Sequence, residues 1–163
     1  MKVIKLFLLC ISLLVFVLFI GINQMTAVPG SSSGNGNPAL LLLILVIPLF
    51  FVMVWLWQRL IRQYGLSRRA IMIGLFLTFI HILAGIIYQR LALANYRKVI
   101  EIALIERYGY ADQQYLLDIT SGLTIHVNNQ YFNVNTFFML ISFSIFIAFI
   151  WFVLPAEKSE KKI

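Results

Sequence analysis

Four apolar stretches, at 6–22, 39–57, 70–88 and 137–154, contain no Asp, Glu, Lys or Arg, and they constrain this chain more than any other feature. Each is close to the roughly 20 residues that a helix needs to cross a hydrocarbon core about 30 Å thick. In lipid an unpaired backbone donor or acceptor costs several kcal/mol, so only helices and closed barrels span a bilayer. The alternating segments of a barrel are missing here. Composition agrees, with 61% hydrophobic and 12% charged residues, against about 45–50% and about 25% in soluble domains. The expected fold is an all-α membrane protein, a bundle of four transmembrane helices.

Cations mark one side of it. Lys2 and Lys5 precede the first span, Arg59, Arg62, Arg68 and Arg69 lie between the second and third, and Lys158, Lys161 and Lys162 follow the fourth. The other side has an uncharged connection, 23–38, and a longer one, 89–136, whose Arg90, Arg97, Lys98 and Arg107 are matched by Glu101, Glu106, Asp112 and Asp118. The positive-inside rule then predicts both termini, the basic loop 58–69 and the tail 155–163 in the cytoplasm, at a plasma membrane. Trp55, Trp57 and Trp151 at inner ends, with Tyr88 and Phe137 at outer ends, suit the two interfacial belts. The net charge of +7 follows this topology and predicts no nucleic-acid partner. Anionic head groups attract each of the four loop arginines by about 1 kcal/mol. The basic start could also open a cleaved secretory signal. The first apolar run is long for a signal core, however, and Met25-Thr26-Ala27 is a poor cleavage site, so a retained span is expected. The simple start and short uncharged linkers suit a bacterial membrane.

The two connections on the far side differ in kind. The first, centred on Pro29 to Pro38, is rich in Gly, Ser and Asn and reads as a flexible linker; its glycines lack phosphate-loop spacing. The second is 48 residues long, more than structureless connections usually run, and predicts a small extracytoplasmic module. Over 89–108 Ala92, Leu93, Tyr96, Val99, Ile100, Ala103 and Leu104 recur at helical spacing, so the third span is expected to continue, or bend, into an amphipathic helix. Beyond Gly109, stretches 115–120, 123–127 and 131–135 are rich in strand formers and separated by Ser121-Gly122 and Asn128-Asn129-Gln130. They predict a short β-hairpin or meander.

Few residues in the spans can carry chemistry. Gly74, Thr78, His81, Gly85 and Tyr88 recur at offsets of 4, 3, 4 and 3, a single stripe on one helix face. Small residues permit close approach and Thr78 and His81 can hydrogen-bond across it, so this stripe is expected to face the fourth span, which offers Ser142, Ser144 and Ala148. A metal or haem site would need more ligands than His81, and only Cys10 is at hand in the spans; no metal or cofactor is expected. Cys10 has no cysteine to pair with and reads as a small packing residue. A dyad of Ser144 with His81 lacks a third group. His126 reads as a surface histidine. With no HExxH, CxxC or paired intramembrane carboxylates, no catalytic residue is assigned.

The functional expectation is a non-enzymatic accessory, assembly or immunity-type subunit that meets a protein partner, or another copy of itself, through the second outer loop. The alternative is a small oligomeric transporter or channel component that uses the Thr78/His81 stripe as a polar path.

Overall fold

The computed structural model describes residues 2–32 and 36–154. Residues 33–35 of the first connection and the tail 155–163, with Lys158, Lys161 and Lys162, lie outside the described residues. Among the described residues four helices are long and apolar enough to cross a membrane: α1 (Lys2–Gln24), α2 (Leu40–Tyr64), α3 (Arg68–Tyr108) and α6 (Val134–Val153). Between the last two lie α4 (Gln113–Ile119), a 3-10 turn (Ile125–Val127) and the single turn α5 (Asn128–Tyr131). The protein is a helical, multi-pass membrane protein.

Helix ends explain why the elements outrun the apolar stretches. Arginine is a good helix former, so α2 continues through Arg59 and Arg62 and stops only at Gly65, whose φ of 58° is left-handed. Ser67 then caps α3 by accepting a hydrogen bond from the Ala70 amide at 3.2 Å. The basic connection expected over 58–69 is thus a three-residue turn, 65–67, between two helix ends. Pro48 sits inside α2 without interrupting it, as membrane helices tolerate. At the start of α6, Asn133 and Thr136 form a reciprocal capping box.

The spans pack in the order α1, α2, α6, α3, so α3 stands at one edge with α6 as its main neighbour. Val15, Phe19 and Ile22 of α1 meet Val46, Met53 and Leu56 of α2 and Phe137 of α6 in one apolar cluster. A second, nearer the basic end, joins Val54 and Ile61 of α2, Ile71 of α3, and Ala148 and Phe149 of α6. Most other span side chains point outward, where lipid is their solvent; Cys10 is one of them.

The amphipathic segment is one unbroken helix with the third span. Its 41 residues make α3 about 60 Å long, and the part past Tyr88 stands about 30 Å beyond the apolar stretch. Ile100 and Leu104 on its inner face pack against Leu116 of α4. We call this part, with α4, α5 and the segments 25–32 and 36–38, the distal module.

The expected β-hairpin or meander is absent among the described residues: 115–119 lies in α4, 125–127 forms the 3-10 turn, and 131–135 runs across the join between α5 and α6. Asp112 takes the Gln114 and Tyr115 amides on one carboxylate oxygen, at 2.8 and 3.3 Å, and so starts a helix. Gln114 donates to Asp118 one turn on, at 2.9 Å. Leu116, Ile119 and Thr120 recur at i, i+3 and i+4, a helical period hidden by the β-branched residues around it.

Candidate functional site

The stripe on α3 meets α6 along most of its length. Gly74 leaves room for the Phe149 ring, and Gly85 for the Met139 side chain; a Cβ on either glycine would collide. His81 Nδ1 and Ser142 Oγ lie 2.9 Å apart, a cross-helix hydrogen bond. Toward the distal end Asn135 of α6 donates to the Gly85 carbonyl at 3.1 Å and to Gln89 Oε1 at 3.2 Å. Thr78 instead donates back to its own helix, to the Gly74 and Leu75 carbonyls at 2.8 and 3.0 Å.

Besides Thr78, two features of this seam differ from expectation. His81 and Tyr88 are exposed at its edge, on a helix that stands last in the span order with α6 as its main neighbour. Ser144 lies apart from His81: fully buried, it donates to the Ile141 carbonyl at 2.6 Å. Ala148, one turn on, packs in the cluster that includes Val54 and Ile71. The serine beside His81 is Ser142. A nucleophilic serine also needs donors for the developing oxyanion, and the backbone amides around Ser142 are committed to the helix.

At the basic end, Arg59 stacks its guanidinium over the Trp55 ring, 4.9 Å from the centroid, and Lys5 lies 5.2 Å over Tyr64. Arg62 ends α2. Arg68 and Arg69 line an open cleft with Met72 and Ile73.

The distal module is held by amides that sequence reading missed. Asn37 and Asn128 exchange hydrogen bonds, at 2.7 and 3.1 Å, and Asn37 also donates to the Leu123 carbonyl at 3.0 Å. Asn23 donates to the Phe132 carbonyl at 2.7 Å, the Ala27 amide to the Ile125 carbonyl at 3.1 Å, and the Asn129 amide to Thr26 at 2.9 Å. Arg97 of α3 donates to buried Thr120 at 2.9 Å, and Arg107 to the Gly30 carbonyl at 3.2 Å. Gly30, with φ of 77°, lies so close to Ala103 that a Cβ would strike its backbone. The described parts of 23–38 are therefore stitched to the second connection. His126 is 2% exposed, not on the surface, and burial lowers its pKa below the usual 6.5.

At the far tip of α3, Leu104, Tyr108, Tyr110, Asp112 and Tyr115 line a cleft of about 290 Å³. No cluster of three or more His, Cys, Asp or Glu side chains arranged to hold a metal ion occurs among the described residues. No family model, no curated protein and no solved structure matches the chain.

Proposed function

We propose that this chain is a non-enzymatic accessory subunit, of the assembly or immunity type, that meets a protein partner through its distal module. The observation that supports this most is where its polar contacts lie. In the spans the polar contacts either turn back on their own helix or serve the α3–α6 seam, whereas the distal module is a separately packed unit stitched from both connections and carried on α3. Exchanging 110–124 for a Gly/Ser linker removes α4 and leaves the four spans in place. Co-purification of partners in mild detergent should be lost, and partners that survive the exchange overturn the reading.

The charge pattern supports a topology for this role: the basic end in the cytoplasm, the distal module outside, in a bacterial plasma membrane. In a Cys10→Ser background, a cysteine at exposed Ser121 should react with an impermeant thiol reagent on intact cells, and one at exposed Gln63 only after lysis. Labelling of position 63 from outside reverses the orientation.

A further inference from the structure

We propose that the tyrosine-lined cleft at the tip of α3 is a binding site for an alkylammonium group. Three aromatic rings line it from two helices and the turn between them, Tyr108 at the end of α3, Tyr110 in the turn after it, and Tyr115 on α4. They are 48%, 70% and 38% exposed; a single exposed tyrosine is ordinary, but three exposed around one cleft form a patch. The rings therefore present their surface to solvent at a concave place. An aromatic face carries negative potential and attracts a cation within about 6 Å of its centroid.

This cluster already shows that chemistry. The Arg107 guanidinium lies 5.6 Å from the Tyr108 centroid. Arg107 is not itself a wall of the cleft, and its bond to the Gly30 carbonyl ties it to the first connection.

Asp112 supplies the complementary charge. One of its oxygens is fixed by the Gln114 and Tyr115 amides, which pins the carboxylate at the cleft wall. No Lys or Arg among the described residues forms an ion pair with it. An anion would meet this carboxylate and the negative ring faces together. A neutral apolar ligand would gain contact with Leu104 and the rings but nothing from the charge. An ammonium group gains from both, and the cleft volume suits a small cation or the end of a side chain.

The cation could be a free alkylammonium compound or the lysine side chain of another protein. The site does not depend on the subunit reading, since either source would fill it. Saturation-transfer NMR on the full chain in a maltoside detergent, free of choline head groups, distinguishes them. Choline is titrated against its uncharged isostere 3,3-dimethylbutanol, and N-acetyl-lysine amide against N-acetyl-norleucine amide. At least one cation should saturate and bind about tenfold more tightly than its isostere, a difference of about 1.4 kcal/mol. The arm that does so identifies the source. Tyr110→Ala and Asp112→Asn should each weaken that binding about fivefold or more, within the range of a single cation–π or ionic contact. Tyr110 is largely exposed and Asn caps a helix as well as Asp, so circular dichroism should show both variants folded. Equal binding of cation and isostere, no saturation by either cation, or two folded variants that bind as the parent does would each overturn the proposal.

Discussion

Asn128 shows how much one side chain carries. It is 2% exposed, and its amide exchanges two hydrogen bonds with Asn37 and reaches the Met25 carbonyl at 3.4 Å. Truncation would remove both bonds with Asn37 and the one to Met25 from a buried place, while Asn37 keeps the Leu123 carbonyl and the Ala39 amide, and each lost bond contributes about 0.5–1.5 kcal/mol. Asn128→Ala should therefore lower the stability of the distal module by about 2 kcal/mol. The measure is chemical unfolding in micelles followed through a probe in that module. Asn37→Ala should cost less in the Asn128→Ala background than alone, because the shared bonds are already gone, and simple additivity of the two would disprove the pairing. The role was hard to read from sequence because Asn in a loop is ordinarily a turn former. The available signal was position: Asn23 follows the first apolar run and Asn37, Asn133 and Asn135 precede the second and fourth, which in alternating spans puts all four on the side away from the basic loop.

At the scale of elements, the four spans were legible because lipid leaves the backbone no alternative to internal pairing, and hydropathy reports it directly. The continuation of α3 was legible too, since 89–108 repeats apolar residues at a helical period over five turns. The region after Gly109 was not. Seven residues of α4 hold barely two helical turns, too few for a period to outweigh β-branched neighbours, and its start rests on one carboxylate cap. Contact between the stripe and α6 was argued from the small residues, but Ser142 rather than Ser144 meets His81, because helical positions two apart differ by about 200° and face nearly opposite ways. The two stripe glycines should respond differently to a methyl group. Gly74→Ala drives against the rigid, buried ring of Phe149, whereas Gly85→Ala meets the flexible Met139 chain, which can change rotamer. Overpacking costs typically about 1–3 kcal/mol, so Gly74→Ala should lower the thermal midpoint in detergent and Gly85→Ala should lower it less. The reverse order would mean that the α3–α6 seam is packed differently.

For the whole molecule, His126 ties integrity to pH. Burial holds its folded-state pKa below 6.5, so below pH 6.5 the unfolded module takes up the proton more readily than the folded one. The stability it contributes is complete above about pH 6.5 and is lost as the pH falls. Amide exchange across 123–131 should be faster at pH 5.5 than at 7.5 once corrected for intrinsic rates, and a folded His126→Leu variant should flatten that difference. Because 25–32 and 36–38 close over the same segment, loosening there reaches the links between α1, α2 and α3 together.

The length of α3 has a mechanical consequence. From mid-span to Tyr108 is about 45 Å of continuous helix, so a tilt of about 10°, within the range by which spans adjust to bilayer thickness, carries the tip about 8 Å sideways. The residues at that tip thus act as the pointer of a lever whose fulcrum is in the lipid.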